Sequence, residues 1–319
     1  MPQSPNKLTT LRPDLRSVVD FDLEMERRKY IGLQIMPRLD VSRQSGTFGR
    51  IPIAQLKGAG DEKLERAARS GFSRADWEFV EESYATKQRG VEEVIDDREA
   101  EIYADFFDAE MIAAMRAYDR LFSGYENRVV AAAVTATENA AQTTAAGNKW
   151  NTATGDPRKN VKAAAKAIWD RTGLWPNTVV VSRLVHRELI DNAKIIERMA
   201  GLGAGKSTMP SEVTRERLAE LFDVDQYLVA DSITLSSGGT VQSLFPSTKA
   251  LVLRAASGPD IQAPAFGRTF VYSDVAGDFD PVPESYREEK VSGDVVRLQH
   301  ESQEKVLYPE LAEVITGVL

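Results

Sequence analysis

Residues 200–207 have the composition of a phosphate-binding loop. The segment reads Ala-Gly-Leu-Gly-Ala-Gly-Lys-Ser, a relaxed form of the pattern in which backbone amides hold phosphates and Lys206 contacts the terminal phosphate. A working loop follows a buried strand, and a helix begins at its lysine. Here residues 192–199 have helical periodicity, and Pro210 with Ser211 starts the following helix too late. The context therefore argues against a nucleotide site and favours a simple glycine-rich loop.

Five carboxylates lie close together at the start of the longest helical pattern: Glu92, Glu93, Asp96, Asp97 and Glu99. Oxygen ligands of this kind bind calcium, but a dedicated calcium loop alternates its ligands and turns on a glycine, and this segment does neither. Acidic residues also interact favourably with the positive end of a helix dipole. We therefore predict that these residues form a solvated helix N-terminus.

The inventory of reactive side chains is small. The chain has no cysteine, which excludes thiolate nucleophiles, disulfides and cysteine-ligated metals. Its two histidines, His186 and His300, leave little room for His-based triads or His-rich metal sites, and we interpret His186 as structural. We predict no catalytic, cofactor-binding or metal-binding residues and no enzymatic activity. A nucleotide-binding enzyme that uses residues 200–207 is kept only as an alternative.

The composition is that of a folded, soluble chain. Its 319 residues are enough for two ordinary domains, and 42% hydrophobic with 8% aromatic residues is typical of globular proteins. No apolar run is long enough to cross a membrane, and the polar first residues do not resemble an export signal. We therefore expect a cytosolic protein with no membrane partner.

Charge is distributed unevenly along the chain. The net charge of −8 argues against a surface built entirely for nucleic acid. Residues 1–60 carry ten basic and six acidic residues, whereas residues 61–110 carry seven basic and sixteen acidic ones. Two interpretations remain open. Both segments are ordinary solvated surface, or they meet between subunits and set the orientation of partners.

The first 150 residues predict an arm, a hairpin and a strut. Residues 1–30 have too few apolar residues for a core and predict an extended arm with one short helix near residues 21–30. Residues 47–53 and 77–86 alternate like strands, and the polar connection between them predicts a projecting hairpin. Residues 97–138 then have a helical apolar stripe, which Ser123-Gly124 is expected to bend or split.

The stretch after residue 150 predicts an α/β unit. Asp156 is a favourable N-cap, Pro157 suits the first helical position, and Gly173 suits the end of that helix. Residues 178–181 form a short apolar run typical of a buried strand. Further elements are expected as follows: helices that begin at Ser182, Ala193 and Ser211, and a strand at residues 227–230.

The last part of the chain reads as β-rich. Apolar runs separated by Gly, Pro and Asp clusters predict strands at residues 250–253, 269–272, 295–298 and 305–307. No internal repeat is visible. The fold class that follows from all these elements is α+β.

This order of elements resembles the major capsid proteins of tailed bacteriophages, which have the HK97-like fold. The resemblance is supported by local sequences whose order and spacing match, and it covers residues 30–319. These local sequences are Ile35-Met36-Pro37; Trp150 with Asp156-Pro157; Gly173-Leu174-Trp175-Pro176-Asn177-Thr178-Val179-Val180-Val181-Ser182; Leu218-Ala219-Glu220-Leu221-Phe222-Asp223-Val224-Asp225; and Pro264-Ala265-Phe266-Gly267-Arg268-Thr269-Phe270.

The resemblance implies a division of the chain into five parts. These are an N-terminal arm (1–45), the E-loop hairpin (46–90), a peripheral domain with a long spine helix (91–150), an axial α/β domain (151–263) and C-terminal strands that return to the peripheral domain (264–319). The hairpin would lie over a neighbouring subunit. In this setting the acidic hairpin and the basic arm are expected to pair between chains, with Glu81 and Glu82 as representative acids.

The resemblance also implies a function and partners. The chain would self-assemble into hexamers and pentamers of an icosahedral shell around phage double-stranded DNA, without sequence specificity, and would be a virion component assembled in the bacterial host cytoplasm. Portal and decoration proteins are further possible partners. No scaffold-like helical segment precedes the arm, so a separate scaffolding protein or none is expected, and no crosslinking pair is assigned. The alternative is the shell of an encapsulin-like bacterial compartment.

Overall fold

The computed structural model describes residues 10–11, 30–56, 69, 78–103, 108–202, 213–235, 238–258, 260, 263–272 and 281–319. Three sequence expectations fall outside these ranges: the helix near residues 21–30, the tip of the hairpin and the glycine loop after residue 202. Statements about the fold below concern the described residues.

The helices and strands follow one another in the order that the sequence patterns indicate. The helices are α1 (Gly32–Ile35), α2 (Ile53–Leu56), α3 (Asp97–Tyr103), α4 (Ala109–Asn139), α5 (Pro157–Thr172), α6 (Arg183–Asp191), α7 (Ala193–Leu202) and α8 (Arg215–Phe222). The strands are β1 (Thr10–Leu11), β2 (Arg38–Val41), β3 (Ser45–Arg50), β4 (Val80–Ala85), β5 (Lys87–Asp96), β6 (Thr143–Ala145), β7 (Thr178–Ser182), β8 (Gln226–Ala230), β9 (Ile233–Leu235), β10 (Val241–Ser243), β11 (Lys249–Leu253), β12 (Gly267–Tyr272), β13 (Glu284–Glu288), β14 (Gly293–Val306) and β15 (Ala312–Thr316).

One sheet is organised by the long strand β14. On one edge β14 pairs antiparallel with β13 and then with β12, and on the other edge it pairs with β5 over ten residues, from Gly293 opposite Asp96 to Ser302 opposite Lys87. β2 lies parallel to β12, and β1 is antiparallel to β13. Helix α4 packs across this sheet and contributes the apolar stripe that the sequence predicted, including Leu121, Tyr125 and Val129.

The second sheet belongs to the α/β unit and has the strand order β6-β15-β11-β7-β8. Its two faces are both covered, which explains why β7 is buried at every position. Val180 and Leu251 face α4, whereas Val179 and Val252 face the helices α5 to α8. Helix α4 therefore packs against both sheets and joins them into one body.

The predicted boundaries of α5 are confirmed. The Asp156 side chain accepts a hydrogen bond from the Lys159 backbone N–H at 3.1 Å, and Pro157 occupies the first turn. Gly173 ends the helix with φ of 75°, a left-handed conformation that glycine adopts without steric cost. The buried stripe Val161, Ala164, Ala165 and Ile168 lies against the second sheet as expected.

The prediction of one helix over residues 97–138 with a bend at Ser123-Gly124 is wrong. The helix is interrupted earlier, and a new helix starts at Ala109, where the Asp108 carboxylate accepts hydrogen bonds from the backbone N–H groups of Glu110 and Met111. Helix α4 then continues through Gly124 without a break. Packing of its buried face against two sheets outweighs the modest helix cost of one glycine.

Three further details differ from the sequence prediction. Residues 295–298 and 305–306 belong to one continuous strand, because β14 has pairing partners on both edges and its intervening polar residues keep the strand alternation. Helix α8 is capped by the side chain of Thr214 and not by Ser211. The final strand, β15, does not return to the sheet of β14, because it pairs with β11 and β6 of the α/β unit.

We expect Asp156→Ala to destabilise the protein by about 1–2 kcal/mol in urea unfolding, because the substitution removes both an N-cap and a carboxylate paired with Arg198 at 2.7 and 2.8 Å. Asp170→Ala is the matched control on the same helix, since Asp170 makes only an exposed pair with Lys166. Arg198 lowers the pKa of Asp156, so the wild-type advantage should be present above the ordinary carboxylate range and decline as the pH falls through the folded-state pKa. Equal losses for the two variants would contradict this assignment.

Candidate assembly interface

The predicted hairpin is confirmed at its base. Strands β3 and β4 pair antiparallel from Ser45 opposite Ala85 to Arg50 opposite Val80. Alternation divides the pair into an inner face, which is partly buried at Phe48, Glu82 and Tyr84, and an outer face that is exposed. The strands form a separate two-stranded sheet that lies on the body of the subunit.

An aromatic cluster seats the hairpin on the first sheet. The ring of Tyr84 stacks on the buried ring of Phe270 with centroids 4.9 Å apart, and Phe48 packs on the same ring at 5.4 Å. Gly46 lies opposite Tyr84, and a Cβ there would come within 3.1 Å of three atoms of the tyrosine side chain. The glycine therefore leaves the space that the stacked tyrosine needs.

An ionic clamp holds the same inner face. The Glu82 carboxylate contacts Arg50 at 2.7 Å and Lys305 of β14 at 3.0 Å. Lys305 also donates to the Ser83 carbonyl at 2.6 Å. Arg50 lies over the ring of Tyr308 and donates to the carbonyl of Leu307 at 3.1 Å. The root of the hairpin is thus attached to the strand end that follows β14.

The clamp changes the interpretation of one predicted residue. The sequence suggested that Glu81 and Glu82 both pair with another chain. Glu82 already has two cationic partners in its own chain, whereas Glu81 points to the exposed outer face. Of the two acids, only Glu81 is therefore left exposed on the outer face.

The end of the described hairpin exposes apolar surface. Phe79 is 65% exposed and Val80 is 41% exposed, and both are flanked by the exposed acids Glu78 and Glu81. A projecting element that is fixed at its root and apolar further out is a typical contact surface for another protein.

A buried charged cluster fixes α4 on the first sheet. Arg128 of α4 forms two hydrogen bonds with Glu304 of β14, at 3.1 and 3.2 Å, and Arg89 of β5 lies 4.0 Å from the same carboxylate. Burial acts to raise the pKa of Glu304, but Arg128 outweighs it and the pKa is lowered. Burial, reinforced by Arg128, lowers the pKa of the adjacent His300 to about 4. His300 is therefore neutral at neutral pH.

The helix start that the sequence predicted for the carboxylates of residues 92–99 is confirmed for three of the five. Glu92 and Glu93 belong to strand β5, whereas Asp96 at its end accepts a hydrogen bond from the Arg98 backbone N–H at 2.8 Å, and Asp97 and Glu99 lie in the first turn of α3. Glu93 pairs with Arg120 of α4 at 2.7 Å, and Asp97 pairs with Arg287. Two of these acids thus join neighbouring elements.

The α/β unit exposes several apolar side chains. Trp169 on α5 and Leu184 on α6 each have more of their surface exposed than buried, and the same holds for Ile233 and Val241 on the small β9–β10 hairpin. The register of that hairpin places Ile233 and Val241 on one face. These side chains are the second set of candidate contacts.

The remaining candidates from the sequence have structural surroundings. His186 is buried, and its Nδ1 lies 3.1 Å from the Tyr227 hydroxyl, as expected of a structural histidine. Residues 193–202 are helical, so a helix occupies the position where a phosphate-binding loop requires a strand. Lys206 and Ser207 lie outside the described residues.

Two other kinds of feature are absent from the part of the chain that the structure describes. These residues include no group of three or more His, Asp or Glu side chains that could hold a metal ion. None of the helices among them combines the length and hydrophobicity needed to cross a bilayer.

The sequence matches a known family over part of its length. The family model described as "Phage major capsid protein E" matches residues 126–265, from the middle of α4 to the segment before β12. Among curated proteins no sequence match is found.

Solved structures are similar over nearly the whole chain. A phage-related protein from Bordetella bronchiseptica RB50 has a TM-score of 0.68 at 16% identity and covers 97% of this chain and 98% of its own. The capsid structure of cyanophage P-SCSP1u has a TM-score of 0.56 at 11% identity, over 88% and 86%. The SrpI encapsulin of Synechococcus elongatus has a TM-score of 0.54 at 10% identity, over 90% and 86%.

These findings confirm two predictions from the sequence. The fold is the α+β HK97-like fold, and the chain resembles the major capsid proteins of tailed phages, as the family match and the phage structures both indicate. The assignment as a structural shell protein, and as a virion component, is supported by the same matches. The encapsulin similarity keeps the bacterial compartment as the minor alternative.

We expect Glu82→Gln to loosen the hairpin, because Arg50 and Lys305 would keep their positive charges without the shared carboxylate. Hydrogen exchange of β3 and β4 should accelerate by about five- to thirtyfold, which corresponds to about 1–2 kcal/mol for a partly exposed pair of contacts. Glu81→Gln, one residue away on the outer face, should leave exchange unchanged. The clamp is refuted if both variants exchange like the wild type.

Proposed function

We propose that this subunit assembles into hexamers and pentamers of a closed icosahedral shell that encloses phage double-stranded DNA. The observation that carries the proposal is a hairpin anchored on its own subunit by Glu82 and Tyr84 while Phe79 and Glu81 remain exposed. Exposed apolar surface on a fixed projection is stabilised when a neighbouring copy covers it. The family match and the phage capsid similarity point to the same function.

The subunit would act by packing and not by chemistry. Its side chains at the contacts are apolar or charged, and the clamps described above are structural. Under this proposal the five parts are those implied by the resemblance: the arm 1–45, the hairpin 46–90, the peripheral part 91–150, the axial part 151–263 and the closing strands 264–319. The joint packing of α4 against both sheets supports a rigid link between the peripheral and axial parts.

The exposed apolar residues of the α/β unit suit contacts near the centres of hexamers and pentamers. Trp169, Leu184, Ile233 and Val241 lie on that unit, away from the hairpin in sequence. Large aromatic and aliphatic side chains of this kind dominate the energy of protein interfaces.

DNA would be enclosed without sequence-specific contacts. The net charge of −8 is compatible with an inner surface that tolerates DNA and does not bind it tightly. Assembly would take place in the bacterial host cytoplasm, with portal, decoration and, if one is used, scaffolding proteins as further partners. The absence of cysteine suits that reducing compartment.

The alternative is a bacterial compartment shell with a protein cargo, favoured by the similarity to the SrpI encapsulin. Negative-stain microscopy of the purified full chain, with nuclease-protection assays on particles from the native source, separates the two functions. Closed particles with protected double-stranded DNA support the phage capsid. Closed particles with protein cargo and no DNA support the compartment, and monodisperse small oligomers at every salt concentration overturn both.

We expect Glu81→Lys to reduce the yield of closed particles at low salt severalfold, because it reverses the charge beside the exposed apolar end of the hairpin. The control is Glu220→Lys on α8, an exposed position where the net charge changes by the same amount. Particle yield is measured by sedimentation and microscopy. Equal yields for Glu81→Lys and wild type would count against a contact at the outer face of the hairpin.

A further inference from the structure

A buried carboxylate on α4 holds residues 30–37, the segment that leads into β2. Glu126 is fully buried. One of its oxygens accepts a hydrogen bond from the Ile31 backbone N–H at 3.1 Å, and the other accepts from the Gly32 N–H at 2.7 Å. These two groups lie at the start of α1, and the chain then continues into β2 of the first sheet.

The contact depends on the absence of a side chain at residue 32. A Cβ on Gly32 would lie 2.8 Å from Glu126 Oε2 and 2.8 Å from Tyr125 Cε1, both closer than a Cβ can approach. Close approach of backbone to another group is a recurring reason for glycine. The backbone at Gly32 therefore lies in direct contact with the Glu126 carboxylate, and a side chain at residue 32 would not fit between them.

A second contact secures the same segment. The hydroxyl of Tyr30, the residue before Ile31, donates a hydrogen bond to the Asp119 carboxylate of α4 at 2.6 Å. Ile31, Ile35 and Met36 are buried in the core of the first sheet. Residues 30–37 contain no charged side chain, so the segment itself supplies no cation to neutralise Glu126.

The charged groups on the surrounding elements are directed elsewhere. On α4, Arg128 binds Glu304 of β14, and Asp119 binds Tyr30. His300 of β14 and Arg89 of β5 adjoin the Arg128–Glu304 pair, and Arg268 of β12 donates to loop carbonyls at Gly258 and Asp260.

Burial is the main influence on the acidity of Glu126. Burial raises the pKa of this carboxyl group from 4.5 to about 7, against the opposing effect of the two backbone N–H groups. Among the described residues, no cation contributes to this balance. The group therefore changes its charge close to neutral pH while it is inside the protein.

We propose that Glu126 is a protonation-controlled anchor for residues 30–37: the neutral acid holds this segment on α4, and ionisation favours its release. The neutral acid retains a carbonyl oxygen that accepts from the backbone, and it places no charge in the buried site. The ionised form gains solvation only when the segment lifts and water reaches the carboxylate.

Linkage sets the direction of the effect. The pKa is about 7 in the closed state, and contact with water in an open state would return it toward the ordinary value of 4.5. The closed state therefore binds more protons, and its advantage, fully present below the open-state pKa, declines as the pH rises to the closed-state pKa. We expect opening to increase on the order of 100-fold between pH 5 and pH 8.

The anchor is a property of one subunit, whereas its consequence for a shell rests on the proposed function. Strand β1, which precedes this segment in the sequence, pairs separately with β13 of the first sheet. In an assembled shell, release of residues 30–37 would let this segment change its contacts with neighbouring copies as the pH rises.

Hydrogen exchange at residues 30–37 of the full chain, measured from pH 5 to pH 8 and divided by the intrinsic exchange rates, tests the anchor. In the wild type the protection of Ile31 and Gly32 should fall on the order of 100-fold. Glu126→Gln, which cannot ionise, should give protection that is independent of pH. Glu101→Gln, at an exposed position on the neighbouring helix α3, is the matched control and should retain the wild-type dependence.

The wild-type measurement decides the question even if Glu126→Gln does not fold. Protection that is constant from pH 5 to pH 8 in the wild type overturns the anchor, and so does a wild-type dependence retained in Glu126→Gln. Microscopy of the same samples keeps the two proposals apart. Failure of the exchange test leaves the shell proposal standing, and absence of particles at every pH overturns the shell while leaving the exchange result valid.

Discussion

The burial of α4 between two sheets is the interaction on which the rest of the subunit depends. Apolar side chains around this helix contact the sheet of β14 on one side and one face of the α/β sheet on the other. Burying large apolar side chains contributes roughly 1.5–3 kcal/mol each, so this single helix supplies much of the stability shared by the two parts.

Charged side chains between α4 and the first sheet have hydrogen-bond partners. Arg128 and Glu304 form two hydrogen bonds across the interface of helix and sheet, and His300 beside them is neutral because of burial. Such a pair adds little net stability compared with apolar packing, but it is costly to misplace and therefore specifies how the helix sits on the sheet. Glu126 differs because its partners are backbone N–H groups and not cations.

The hairpin follows the same principle at the edge of the first sheet. Phe270 at the centre of β12 provides an apolar seat for Tyr84 and Phe48, and Glu82 links the hairpin to Lys305 of β14. The strands of the sheet thereby determine the direction in which the hairpin projects. Beyond the seat, Phe79 and its acidic neighbours are exposed.

The sequence by itself determined the elements with strong local signals. Asp156, Pro157 and Gly173 bounded α5, the run at residues 178–181 marked a doubly covered strand, and alternation indicated the hairpin. Such signals act through neighbours in the chain. Only the tertiary structure decided that the helix breaks at Asp108 and that β14 is continuous. It also decided that Glu82 is paired within its own chain and that Glu126 accepts a hydrogen bond from the Gly32 backbone N–H. Each of these depends on partners far away in sequence, which residue order and local periodicity do not specify.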